Sequence, residues 1–223
     1  MNTNNSRDKY EHPLVAVDMV VFTIVNKKLN ILLIQRAKEP FKNYWAIPGG
    51  LVERNESLEE AAIRELVEET SVKDVYLEQL QTFGDVKRDP RGRIISVAFL
   101  ALISPKGIKI SASSDAKEVN WFSVEKLPKL AFDHKIIVNL ALNILREKIQ
   151  YSDIVYPLLR NRFRLSELQE AYEVIMGGKL DKRNFRKRLS QVGLVKSTGQ
   201  KELDGAHRPA MLHQFRSRGG VFK

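Results

Sequence analysis

The residues best suited to chemistry lie between Gly50 and Val72, in the run GLVERNESLEEAAIRELVEETSV. A glycine turn leads there into a helix carrying Glu65, Glu68 and Glu69, whose spacings of three and four put them on one face. Hard divalent cations take oxygen ligands and hold substrate phosphates at the same time. A row of carboxylates beside a glycine loop therefore suits metal-assisted attack on a diphosphate. At roughly 100° per residue, Leu58, Ala61 and Ala62 share the bearing of Glu65 and Glu69, so the carboxylates continue the apolar stripe. Glu56, Glu59 and Glu60 are expected on the opposite, solvated side. An acidic cluster turned toward the interior requires a cation, and Arg64 alone does not neutralise three carboxylates.

The segment resembles the Nudix box, G-x5-E-x7-R-E-U-x-E-E-x-G-U with U aliphatic. Gly50, Glu56, Arg64, Glu65, Leu66, Glu68, Glu69 and Val72 match it in register, and Ser71 stands where the family has glycine. The family's glycine closes the helix; serine there removes no ligating group. The resemblance implies that Glu65, Glu68 and Glu69, with Gly50 beside them, hold Mg²⁺ or Mn²⁺. It also implies that Glu56 is an auxiliary ligand or base, and that Arg64 orients the carboxylates through a salt bridge. The general base differs among Nudix enzymes and is left open.

These residues need a scaffold. Residues 14–25 and 29–35 are β-rich runs split by the turn Asn26-Lys27-Lys28, a hairpin-like pair. Trp45 to Gly50 delivers a short strand into the glycine loop, and the helix follows. Apolar stretches at 75–83, 94–103 and 119–124 come next. A helix over 133–149 closes the unit, with Ile136, Ile137, Leu140, Ile144 and Leu145 at helical spacing. Strands flanked by helices give an α/β class, the α/β/α sandwich that the Nudix resemblance also implies. The divisions expected are a flexible 1–12, a Nudix domain 13–150 and a third unit 151–223.

Charge separates the last two. The chain of 223 residues carries +10 overall, of which residues 1–150 hold +2 and residues 151–223 hold +8. Such asymmetry suits nucleic-acid binding better than diphosphate hydrolysis alone. In the basic unit, Leu165, Leu168, Tyr172 and Ile175 line a helix ended by Gly177-Gly178. Asp181 then caps a second helix with Phe185, Leu189 and Val192 inward and Lys182, Arg183, Arg186, Lys187 and Ser190 outward. Gly193 stops it, and a β-like pair at 194–198 and 210–215 brackets a tip that includes Arg208. Helix, turn, basic helix and hairpin describe a winged helix-turn-helix, whose second helix enters the major groove of double-stranded DNA. The bland alternative is a solvated basic face on a dimerisation module.

Taken together, the chain is similar to the Nudix-related transcriptional regulators, which join a ligand-sensing Nudix domain to a C-terminal winged helix and act as homodimers. Their effector is commonly ADP-ribose or a related product, and other branches sense sugar-derived ligands. Arg88-Asp89-Pro90-Arg91-Gly92-Arg93 resembles the loop of ADP-ribose-handling Nudix proteins. Arginine pairs bidentately with phosphate, so Arg88, Asp89, Arg91 and Arg93 are ligand-site candidates. An ordinary basic turn built on Asp89-Pro90 and Gly92 explains the same residues equally well. Arg36 and Trp45 flank the glycine loop as contacts for phosphate or base, or as scaffold.

Two functions stay open: a DNA-binding regulator with retained Nudix hydrolysis, or primarily an ADP-ribose pyrophosphatase with an accessory C-terminal domain. The sequence holds no cysteine, its opening MNTNNSRDKYEHP shows no apolar h-region, and no stretch approaches the roughly 20 apolar residues of a membrane span. A cytoplasmic protein without a membrane partner is expected.

Overall fold

The computed structural model describes residues 12–70, 76–104, 116–202 and 209–216. The first strand, β1 (Leu14–Val25), is twelve residues long and organises the sheet. Its second half pairs antiparallel with β2 (Lys28–Arg36), and its first half pairs antiparallel with β4 (Gly49–Leu51). Along its other edge it runs parallel to β6 (Ile94–Leu102), which pairs antiparallel with β5 (Tyr76–Phe83). Short β3 (Trp45–Ala46) and β7 (Ala116–Ser123) complete a seven-stranded mixed sheet by pairing with β2.

The strands read as continuous apolar runs because both faces of the sheet are covered. Met19 and Val21 of β1 with Val97, Phe99 and Ala101 of β6 pack on α1 (Leu58–Thr70) through Ala61, Ala62 and Leu66. The alternate residues Val20, Phe22, Ala98, Leu100 and Leu102 share a cluster with Ile137, Val138, Ala141 and Leu145 of α2 (His134–Lys148). The period of two thus yields helix, sheet, helix. Ser57 and Glu60 form a reciprocal capping pair at the start of α1, with bonds of 2.7 and 3.2 Å, written in the sequence as Ser-Leu-Glu-Glu.

Three sequence expectations are corrected. The β1–β2 turn is two residues, not three: Asn26 and Lys27 have φ of 51° and 58°, and Lys28 already pairs with Val25. Positive φ at both positions matches the twist of the flanking strands. On α2 the inward line runs through Ile137, Ala141 and Leu145, which leaves Ile136 62% exposed. On the basic helix, Val192 is 40% exposed because only Phe185 and Leu189 reach the core.

After α2 a 3-10 turn, Tyr156–Leu158, leads to β8 (Phe163–Arg164), α3 (Leu165–Met176), α4 (Lys182–Val192), β9 (Val195–Glu202) and β10 (Ala210–Phe215). The second sheet has the order β8-β10-β9. The brief β8 was invisible in the sequence, where two residues carry no period. Gly177 and Gly193 end α3 and α4 at φ of 73° and 70°, and Asp181 accepts a 2.8 Å bond from the amide of Asn184. The two units share one core, since Leu145 and Ile149 cluster with Leu168, Tyr172, Phe185 and Leu189. Arg146 donates to the carbonyl of Ile175 at 3.0 Å, and Arg188 donates to Gln150 at 3.1 Å. Among the described residues no helix is long and apolar enough to cross a membrane.

Candidate functional site

A cleft of about 580 Å³ opens where β1, β4, α1 and the start of α2 meet. Gly50 approaches α1 so closely that a β-carbon on it would lie 2.0 Å from Glu65 Oε1. Only glycine lets the strand end rest against that carboxylate. Arg64 ties the acidic residues together: its guanidinium lies 2.7 Å from Glu56, 2.7 Å from Glu65 and 3.5 Å from Glu68. Glu56 also accepts from the amide of Glu53 at 2.8 Å. It is therefore not the solvated residue that the helical projection suggested: it precedes α1, and Arg64 folds it back.

The electrostatics follow from these contacts. Burial raises the Glu65 carboxyl above its ordinary value, although Arg64 pulls the other way. The Arg64 bond and the Glu53 amide lower Glu56 to about 2. One guanidinium facing three carboxylates leaves a negative surplus at the cleft. The donors there are hard oxygens, and Gly50 makes room for the Glu65 carboxylate, so their chemistry suits a divalent cation, although among the described residues no three such side chains are gathered as a ligand set. The Glu69 side chain, Ser71 and Arg208 lie outside the described residues.

The cleft's other wall departs from the sequence expectation. Arg88 is 4% exposed and donates to Asp133 at 2.9 and 3.0 Å and to Asp18 at 3.0 Å. Burial opposes its charge, but the two aspartates more than compensate and raise its pKa. Asp18 also accepts from Ser96 at 2.5 Å. His134, buried and thereby lowered in pKa, accepts the amide of Ile47 on Nδ1 at 3.1 Å. Arg88 is thus a strut joining β1 to the start of α2, with three of its five N–H donors committed, and it also lines the cleft. Its partners are 70 and 45 residues away in sequence, which is why spacing did not reveal them.

Asp89 accepts the amide and the guanidinium of Arg91 at 2.9 and 2.6 Å, and both line the cleft. These bonds are those of the turn built on Asp89, and the turn forms part of the cleft wall. Arg93 instead donates to Gly84 at 2.7 Å and braces the base of its loop. Arg36 lines the cleft and donates to the carbonyl of Pro40 at 2.8 Å. Trp45 packs edge-on against Phe122, ring centroids 4.5 Å apart, as scaffold. Sequence reasoning missed Asp18, Phe132 and His134, all of which line the cleft.

The second candidate surface is α4. Lys182, Arg183, Arg186, Lys187 and Ser190 are all exposed, while Phe185 and Leu189 anchor the helix. Glu173 accepts from Lys179, from the amide of Leu180 and from Gln169, fixing the turn between α3 and α4. Arg160 pairs with Glu167 and Glu202 at 3.0 and 2.9 Å and ties β9 to the start of α3. Helix, fixed turn, exposed basic helix and three-stranded wing form a winged helix-turn-helix.

Comparison with known proteins agrees with both halves. Residues 13–140 match the NUDIX domain, and residues 155–215 match the NrtR DNA-binding winged helix domain. The ADPR responsive transcriptional repressor NtrR of Acinetobacter baylyi is 39% identical over 213 residues, covering 94% of this chain and 84% of that protein. An ADP-ribose pyrophosphatase of Methanocaldococcus jannaschii is 44% identical over 129 residues, covering 58% of this chain and 73% of its own. The crystal structure of Shewanella oneidensis NrtR complexed with a 27mer DNA superposes with a TM-score of 0.79 at 36% identity, covering 91% of this chain and 93% of that one. With an acid-lined cleft on the sandwich, a basic helix on the wing unit and likeness across both, the chain belongs to the NUDIX domain family, in the branch that carries an NrtR DNA-binding winged helix domain.

Proposed function

We propose that this protein is a DNA-binding transcriptional regulator, acting as a homodimer on a double-stranded operator, whose Nudix cleft takes ADP-ribose or a related diphosphate as effector. The observation that carries the reading is α4: five polar or basic side chains on its open face, two apolar anchors behind, and a fixed turn before it. The likeness to a protein named as an ADPR responsive repressor supports the choice of effector. The effector acts by favouring one arrangement of the two units, since only differential affinity shifts an equilibrium.

Retained hydrolysis is the second reading, favoured by Gly50 against Glu65 and by the intact Glu56, Glu65 and Glu68. Glu65, Glu68 and Glu69, beside Gly50, would hold Mg²⁺ or Mn²⁺. Such an ion, when bound, activates water and neutralises charge on the phosphoryl oxygens. Arg64 keeps the carboxylates apart and oriented. Water attacks one phosphorus, the P–O–P bridge breaks, and ADP-ribose yields AMP and ribose 5-phosphate. Paired variants test this division of labour. Glu68→Gln is expected to abolish Mg²⁺-dependent hydrolysis and keep DNA binding; Arg183→Glu with Arg186→Glu is expected to do the reverse. Loss of both functions in either variant would contradict separate sites, and intact operator affinity in the arginine variant would misplace the recognition helix.

A further inference from the structure

The cleft has two chemically different ends. Gly50, Arg64, Glu65 and Glu68 form the acidic one. At the other stands Phe132, with φ of 48°, and the neighbouring Phe41 and Asn43 have φ of 62° and 66°. Non-glycine residues in the left-handed region persist only where the surrounding structure over-determines the backbone. Phe41 and Phe132 meet edge to face, ring centroids 4.8 Å apart. The guanidinium carbons of Arg36 and Arg91 lie 4.8 and 5.6 Å from the centre of the Phe132 ring. Nothing in the sequence pattern singles out Phe132, which directly precedes the Asp133 bonded to Arg88.

The state of Arg91 decides what this end can hold. Its Nε and Nη2 are given to Asp89 at 3.0 and 2.6 Å, and the Asp89 side chain is 2% exposed while that of Arg91 is 49% exposed. A buried carboxylate therefore neutralises this guanidinium and occupies two of its donors. Such a group is a poor claw for phosphate. It is a flat, weakly hydrated plate, and guanidinium planes stack well on aromatic rings. We infer that the Arg91–Asp89 pair, backed by Phe132, is the platform on which the flat nitrogenous base of the ligand stacks, its diphosphate reaching toward Gly50 and Glu65. Arg91 thus reads a base, where the basic loop had suggested phosphate. The inference rests on the proposal that the cleft takes an ADP-ribose-like molecule.

The test is calorimetric titration of the full chain with two ligands: ADP-ribose, and ribose 5-diphosphate, which keeps a sugar-diphosphate arm and lacks the base. Arg91→Met and Phe132→Leu are expected to weaken ADP-ribose about tenfold, the scale of one stacked base, and to leave ribose 5-diphosphate unchanged. Phe132→Tyr, which retains the ring, is expected to keep ADP-ribose affinity. Phe132→Leu leaves the Arg91–Asp89 pair intact, so it reads the platform even where Arg91→Met disturbs the loop. Equal losses on both ligands, or no loss on ADP-ribose, overturn the assignment. A wild-type chain that binds ribose 5-diphosphate but gains nothing from the base also overturns it. A wild-type chain that binds neither refutes the effector reading, and the platform falls with it.

Discussion

Replacing Arg88 by methionine separates two roles that its sequence context confuses. If Arg88 met the ligand's phosphates, the variant would fold normally and lose effector. Instead its guanidinium sits 4% exposed between Asp18 and Asp133, with three charge-assisted bonds of 2.9–3.0 Å. Methionine fills much of the volume but leaves two carboxylates without the cation. Breaking a buried ion pair by removing one partner costs about 3–5 kcal/mol. For a chain of this size each kcal/mol moves the unfolding midpoint by about 2–4 °C, so a fall of roughly 6–20 °C is expected. Arg88→Lys restores the charge without the fork and is expected to recover part of that loss. Differential scanning calorimetry reads the midpoint, and titration with ADP-ribose well below it reads the cleft. An unchanged midpoint combined with lost effector binding would refute the strut.

Other consequences are local. Glu56 lies lower in the folded chain, at about 2, than its ordinary value of 4.5. It therefore stabilises the fold above about pH 4.5, and that contribution is lost as pH falls toward 2. Glu56→Gln is expected to flatten the acid limb of midpoint against pH in that window; an unaltered limb would remove the Arg64–Glu56 bond from the account. Asp181→Ala removes the cap of α4 and is expected to cost about 1 kcal/mol, read by urea unfolding, with operator affinity falling as the helix start frays. Neutralising Arg186 and Lys187 together is expected to reduce the slope of log affinity against log salt by about 2 for two lost phosphate contacts. A slope equal to wild type would turn that face away from DNA.

Local signals carried much of this molecule. The spacing of Gly50, Arg64, Glu65 and Glu68 survives in the cleft because a helix preserves angular relations between residues three and four apart. Asp181 and Gly193 bounded α4 because capping is chemistry within one turn. What the sequence hid is long-range. Asp18, Arg88 and Asp133 meet only after β1, a loop and α2 have packed, and no spacing encodes that meeting. Phe132 carries no signal in its sequence context; its left-handed backbone and two arginine neighbours exist only in the fold. Helical projection misplaced Glu56 because it precedes α1, where 100° per residue no longer applies. It misjudged Ile136 because one step around a helix separates core from solvent.

Whether one chain reads DNA and a diphosphate effector together is decided by fluorescence anisotropy. Purified protein is titrated onto overlapping fragments of its own upstream DNA, and ADP-ribose is then added at constant salt. Tight binding to one fragment, well above random DNA of equal length, that shifts on adding ADP-ribose is the expected result. Binding no better than to random DNA on every fragment, or selective binding indifferent to saturating ADP-ribose, would contradict it.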